Sequence, residues 1–423
     1  YTAVAKIADT NTVDTTDKPT LDSIAQAGDS YSGDYRFDNV FFRRGGNLLM
    51  GDPLFVAQNL ALVEYGRLSH QQVTTTFTPY LDLTVDSLVV GPNSSIVLDS
   101  KGYLGGYQGA NANCEGRTLN NQLGSSATSA GSYGGFGANF GGIRNPQYGS
   151  LTDPSDFGSG GACRGGSYPG GNGGGYAKIM ANNIVLDGVI SANGAIGTGN
   201  TSGSGSGGTI NIDTTTLDGS GFIRANGGGY QLGAGCGRIA IRYQSTLGLA
   251  QANIEVKGGQ ASAGNGGNGT VFLKSALQTQ GDLVIDGFNV ATPGDSTELP
   301  AGLNFDNLVL RNGARVVTAN PIIVEDQLSI LGGSILTHPI ASEAGLDITA
   351  RRVFVDETSS IDVSGRGYQG GYNSGNAQCL GLTLGAQLGA PATSGGSYGG
   401  IGGIYDSSYA SSVYGHPAEP FYL

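Results

Sequence analysis

The chain has 423 residues, 76 of them Gly, and 33 acidic against 21 basic side chains give a net charge of −12. With 14 Pro and no Gly-X-Y period it is not a collagen, its 38% hydrophobic content is too high for a disordered linker, and its scattered bases leave no electrostatic footprint for nucleic acid. No run approaches the ~20 continuous apolar residues of a membrane-spanning helix, and an opening at Tyr1 reads as a chain from which an export signal has been removed.

Residues 1–34 are polar, rich in Thr and Asp, and unmatched elsewhere in the chain, which suits an extended arm able to add a strand to a neighbour. Only Thr20 to Ala27 within them suits a short helical turn. From residue 35 the chain is organised by a duplication. Lys101 to Gly135 recurs as Arg366 to Gly400 at a constant offset of 265 residues, so that Cys114 falls on Cys379. Upstream, Leu81 falls on Leu346 at the same offset and Phe37 falls on Phe305 at an offset of 268. Residues 35–300 therefore form a first unit carrying a Gly/Tyr-rich insertion at 102–175, and residues 301–423 form a second, incomplete one.

A finer period lies inside the first unit. Four segments beginning at Gly173, Gly205, Gly233 and Gly264 repeat a glycine-rich entry, an alternating apolar strand, a polar spacer and a second apolar strand. Anchored on Ile179, Ile212, Ile241 and Leu273, they step by 33, 29 and 32 residues, a period suited to one coil of a solenoid. Alternation such as Thr209, Ile210, Asn211, Ile212 marks strands, and Gly or Asn marks the corners because these residues tolerate positive φ. The expected architecture is all-β: a right-handed parallel β-helix, or β-solenoid, with Gly/Tyr-rich loop insertions. For Tyr35 to Ser100, where the strands are longer and lack glycine corners, an antiparallel β-sandwich is the alternative.

The segments GSGGTINIDTTTLDGSGFIRANGG, GAGCGRIAIRY and GNGTVFLKS resemble the glycine-rich parallel β-helix repeats of large bacterial extracellular and surface proteins, similar in outline to adhesins and the pectate-lyase-like superfamily. The resemblance implies a β-helical fold and a secreted, cell-surface location. It implies no particular activity.

Among chemistry-bearing residues, the cysteines Cys114, Cys163, Cys236 and Cys379 show no CxxC spacing for zinc or redox work. A Cys114–Cys163 disulfide would tie down the insertion; a Cys114–Cys236 bond and free buried thiols are the alternatives. Cys379 would then need a partner beyond Leu423 or on a neighbouring molecule. His70 and His338 occupy equivalent positions and read as structural. No catalytic residue stands out, and the chain reads as a non-enzyme. Asp187, Asp218 and Asp286 each precede Gly and suit either a stacked carboxylate ladder or plain Asp-Gly turns. No metal centre or cofactor is called for, although carboxylates near Asp153 and Asp156 leave room for one Ca2+ ion. Tyr103, Tyr107 and Tyr133 in the first insertion, and Tyr368, Tyr372 and Tyr398 in the second, offer amphipathic rings for an interface or a glycan, or else pins that hold glycine-rich loops to the scaffold.

The expected function is that of a secreted structural subunit, self-associating head to tail or by strand complementation into an extracellular filament, sheath or surface fibre. An adhesin stalk or carbohydrate-binding surface protein, with surface polysaccharide as partner, is the second reading. A polysaccharide lyase or hydrolase is the third, because it needs a carboxylate pair or an acid and Arg cluster that the repeats do not mark.

Overall fold

In the computed structural model, the residues described are 4–7, 12–14, 35–165, 168–199, 201–290, 296–373, 375–389, 394–403 and 412–415. Among these residues the chain is almost entirely β, with three single 3-10 turns and no α-helix. The strands sort into a twelve-stranded sheet, a seven-stranded sheet and a four-stranded sheet, with two small two-stranded ladders besides. The Thr20 to Ala27 helical turn lies outside the described residues.

Through the first unit the chain visits the large sheet and the seven-stranded sheet alternately. Tyr176–Leu186, Thr209–Asp218, Arg238–Leu247 and Thr270–Ser275 pair side by side in the large sheet, all parallel. Val189–Ser191, Phe222–Arg224 and Ile254–Glu255 pair in the second. Register follows the sequence anchors: Ile179 sits opposite Ile212, Ile212 opposite Ile241, and Ile241 opposite Leu273. The column runs back through Leu83 and Leu54 to Tyr35. A facing column of Leu48, Leu68, Ile96, Ile190, Ile223 and Ile254 comes from the seven-stranded sheet, and both belong to one buried core. Each fully buried Ile or Leu contributes about 1.5–3 kcal/mol of transfer free energy, so stacking like on like builds the core one coil-length at a time.

Two expectations change. Tyr35–Phe42, Leu54–Leu62 and Leu81–Val90 pair parallel, which removes the antiparallel sandwich as an account of residues 35–100. Within the opening residues, Val4–Ile7 and Thr12–Asp14 pair with Tyr35–Phe42 and Asn47–Met50 of the same chain, extending both sheets at one end.

The fourth segment, beginning at Gly264, also departs from its siblings. Its second strand, Asp282–Asp286, does not cross to the seven-stranded sheet; it turns back and pairs antiparallel with Thr270–Ser275. The spacer is short and self-bonded: Ser275 donates to the Gln278 side chain at 2.9 Å, and Gly281 takes φ +92°, which closes the reversal. Asn304–Arg311, Ile322–Ile330 and Ile348–Val355 then continue the large sheet parallel to Asp282–Asp286. The core changes face at the same place. Val271, Leu273 and Val284 belong to the first core, whereas Phe272, Leu283 and Ile285 belong to a second that includes Leu308, Leu328 and Leu336. Strand direction and buried face therefore reverse together. The four-stranded sheet closes this second core.

The duplication extends to irregularities. A bulge between Phe37 and Asn39 recurs between Phe305 and Asn307, and one between Val56 and Asn59 recurs between Val324 and Gln327.

Candidate functional site

The features that single this chain out are its two Gly/Tyr-rich insertions, and they are best built from the first. Residues 102–175 fold over the outer face of the large sheet, where Leu151 packs with Ala240 and Phe272. Their glycines lie backbone to backbone with the glycine-rich corners of later segments. Gly174 donates to Ser206 at 2.8 Å, Gly131 to Ser204 at 2.9 Å and Gly134 to Cys236 at 2.8 Å. A methyl group on Gly208 would overlap the Gly175 carbonyl oxygen, and one on Gly134 the Gly237 oxygen. Glycine is demanded here by the closeness of neighbouring stretches of backbone, a need separate from positive φ.

Polar side chains lock this layer. Arg238 is fully buried: its Nε and Nη2 donate to the Tyr148 carbonyl at 3.0 and 2.9 Å, Nη1 donates to Thr270 Oγ1 at 3.1 Å, and the guanidinium lies 5.5 Å from the Tyr133 ring centre. Asn145 is a second hub, accepting from the Ser132 N–H at 3.0 Å and donating to the Ser132 carbonyl at 2.8 Å and Ser159 Oγ at 3.1 Å. Beside them, His70 bonds the Gln71 carbonyl through Nδ1 at 2.6 Å and accepts from the Tyr176 N–H through Nε2 at 3.3 Å, an arrangement that needs a neutral ring protonated on Nδ1. Burial, with a smaller contribution from Lys101, pushes its pKa down to about 3. Phe157 packs edge-on to Tyr103, Tyr176 and His70.

Cys114 and Cys163 form a disulfide, their Cα atoms 4.8 Å apart, which excludes a Cys114–Cys236 bond. Cys236 is a free, buried thiol donating to the Gly267 carbonyl at 3.3 Å, and burial raises its pKa far above the ordinary thiol range. Cys379 is free and exposed.

The tyrosines divide. Tyr103 and Tyr133 are buried, with the Tyr133 hydroxyl 2.7 Å from Thr209 Oγ1, so they pin the insertion and are not available as a contact surface. Burial and the charge of Asp156 push the Tyr103 hydroxyl up to about 12. Tyr107 and Tyr372, equivalent in the two units and both at positive φ, are exposed. Tyr368 and Tyr398 are partly exposed and meet the ring of Tyr414. Tyr405 and Tyr409 lie outside the described residues.

The carboxylates do not stack. Asp187 accepts from the N–H and Oγ of Ser220 at 3.0 Å, Val185 rather than Asp187 sits opposite Asp218, and Asp286 pairs with Arg311 at 2.6 Å. Asp153 is turned to Asn211 at 2.9 Å and to Arg242 at 3.4 Å, and among the described residues no three of His, Cys, Asp or Glu come together. Arg242 in turn binds Asp213 at 2.6 Å. A cleft of about 240 Å³ lies between the first insertion and the second unit, lined by Gln147, Tyr148, Glu298, Leu299, Thr318 and Asn320. No helix among the described residues is long and apolar enough to cross a membrane.

The second unit repeats the inner wiring of the loop. Asn111 donates to the carbonyls of Gly105 and Glu115 at 2.9 and 2.8 Å, and Asn376 to those of Gly370 and Leu380 at 3.0 and 2.7 Å. Sequence reading passed over both, although their recurrence at the repeat offset was the available signal. What differs is the surroundings. Leu83, Val85, Leu88 and Val90 are buried beneath the next strand, whereas their equivalents Ile348, Ala350, Val353 and Val355 lie on the last strand of the sheet, with Val353 50% and Val355 38% exposed. Ile361 and Val363 are exposed where Ile96 and Leu98 are buried.

Comparison with protein families, with curated proteins and with solved structures finds no match to this chain in any of the three.

Proposed function

We propose that the chain is a secreted structural subunit, a right-handed parallel β-solenoid in two tandem units that self-associates head to tail or by strand complementation into an extracellular filament, sheath or fibre. The observation that carries this reading is the strand Ile348–Val355. It repeats Leu81–Val90 but leaves its core column uncovered among the described residues. A strand edge flanked by apolar side chains pairs readily with a further strand of matching pattern. The opposite end of the same sheet is the strand Val4–Ile7, so addition there is head to tail, the geometry that generates open filaments. The right hand follows the general preference of parallel crossovers. The Cys114–Cys163 disulfide supports an oxidising, extracellular setting, and the glycine-rich repeats support kinship with β-helical surface proteins. Catalysis has no part in this reading: Asp213, Asp153 and Asp286 are committed to Arg partners. Electron microscopy of the purified chain tests it, with extended particles expected and a uniform field of globular monomers at high concentration counting against it.

The exposed Tyr107 and Tyr372, with the cleft beside Tyr148, favour a carbohydrate-binding surface protein as the second reading. Glycan-array binding that is lost in Tyr107→Ala and Tyr372→Ala would favour it over the first.

A further inference from the structure

We propose that the cleft between the first insertion and the second unit binds a small organic carboxylate, held at its floor by the buried guanidinium of Arg238 and at its mouth by Glu298 and Asn320. The proposal goes beyond the filament reading and requires neither that reading nor carbohydrate binding through Tyr107 and Tyr372.

Three stretches of chain build the cleft. The first insertion brings Gln147 and Tyr148, the segment that begins at Gly233 brings Arg238, and the second unit brings Glu298 and the turn from Val317 to Asn320. Parallel pairing sets the far wall: Thr297–Glu298, Arg315–Val317 and Ile335–Thr337 lie side by side, with Glu298 opposite Val317 and Val317 opposite Thr337. Gln147 ties the two walls, its side-chain oxygen accepting from the Glu298 N–H at 3.2 Å. The volume of about 240 Å³ lies below the ~300–1,000 Å³ of sites for drug-sized molecules, which suits one small ligand.

Arg238 decides what that ligand carries. Its guanidinium stays protonated and has five N–H donors, and the side chain is 2% exposed. The Tyr148 carbonyl and Thr270 hydroxyl take three of the five, so one N–H on each terminal nitrogen has no acceptor among the described residues. The charge is unmatched too. Asp156 is the carboxylate whose field it feels, yet the two form no ion pair, and burial raises the Asp156 pKa against the pull of Arg238. Tyr133, Tyr148 and Cys236 also surround it, and burial raises the pKa of each, so all three keep their protons. A buried cation without a counter-ion is costly, and a planar carboxylate offers two oxygens to the two spare donors.

The mouth narrows the class. Among the described residues the Glu298 carboxylate and Asn320 Oδ1 receive no hydrogen bond, so both are open to a hydroxyl or an ammonium group on the ligand. One positive charge at the floor balances one negative charge, and Glu298 opposes a dianion such as phosphate. Leu299, Pro300 and Pro339 supply an apolar wall for the carbon skeleton. A sugar acid and an α-amino acid both present this chemistry.

Isothermal titration calorimetry of the full chain with sodium glucuronate and, separately, glycine tests the proposal, with glucose and sodium sulfate as controls at matched ionic strength. Saturable binding of at least one of the two carboxylates is expected, and none of glucose or sulfate. Arg238→Lys keeps the charge but removes the two-point contact and should weaken binding about tenfold or more. Because that variant also disturbs the Tyr148 contact, Ala319→Tyr accompanies it: Ala319 is exposed in the turn, so a ring there should block the mouth, abolish binding and leave the Tm unchanged. Glu298→Gln separates the two sources, weakening glycine, whose ammonium group needs the carboxylate, and sparing glucuronate. Absence of binding by both carboxylates, equal binding of glucose or sulfate, or binding that survives Ala319→Tyr in a folded chain would overturn the proposal. None of these readouts depends on whether filaments form or on Tyr107 and Tyr372.

Discussion

Alanine in place of Gly134 and, separately, of Gly399 puts one methyl group at two equivalent positions that differ in what faces them. At Gly134 the methyl would overlap the Gly237 carbonyl, a backbone oxygen that cannot rotate aside, and the Gly134 N–H bond to Cys236 at 2.8 Å would have to lengthen. Overpacking of this kind costs about 1–3 kcal/mol, and a weakened buried hydrogen bond adds about 1 kcal/mol. Against this, alanine narrows the unfolded ensemble by about 0.4–1 kcal/mol, so the net loss for Gly134→Ala is about 1–3.5 kcal/mol. Gly399→Ala meets no atom among the described residues and should be neutral or stabilising by up to about 1 kcal/mol. Urea titration followed by circular dichroism gives the difference, and hydrogen exchange over 130–140 locates it. If the two substitutions cost the same, the glycines serve flexibility and not close packing, and the account of the insertion is wrong.

Other outcomes follow from the locks on the insertion. Cys163→Ser opens a loop closed across a sequence separation of 49 and should cost about 4 kcal/mol in the chain-entropy limit, read as a lowered Tm; Cys236→Ser should cost much less. Arg238→Met keeps the stem but strands the Tyr148 carbonyl and Thr270 hydroxyl, a loss of about 2–4 kcal/mol, with faster hydrogen exchange over 145–157 as the signature. His70 is neutral when folded and takes up a proton when unfolded below its ordinary pKa of 6.5. Its contribution is therefore complete above pH 6.5 and is lost as pH falls toward 3. Over that window stability should drop by up to about 1.4 kcal/mol per pH unit more in the wild type than in His70→Gln, measured by denaturation at a series of pH values.

The parts of the fold that sequence made legible are those where like residues stack. Ile179, Ile212, Ile241 and Leu273 occupy one column because each must bury its side chain against the strand before it, so their spacing carried the register. The Cys114–Cys163 bond was legible for a related reason: both cysteines lie in one long insertion. The turn-back at Gly281 was not, since the segment from Gly264 has the apolar pattern of its siblings and only the tightness of its spacer distinguishes it. Nor was the switch of core face, because Phe272 and Leu283 are as apolar as Leu273 and Val284, and alternation does not say which set is inward. Arg238 and Asn145 were missed because each acts through contacts remote in sequence; Arg238 reaches Tyr148 across 90 residues. Tyr103 and Tyr133 were read as contact candidates because tyrosine serves pins and interfaces alike, and only burial separates them.

The central claim is self-association through the strand Ile348–Val355. Sedimentation velocity over a wide concentration range, comparing the wild type with Val353→Lys/Val355→Lys, addresses it most directly. These side chains are half exposed, so charging them should leave the fold intact while blocking apolar stacking. Concentration-dependent growth in the wild type and its loss in the double variant is the predicted result; a wild type that sediments as one species at every concentration would contradict it.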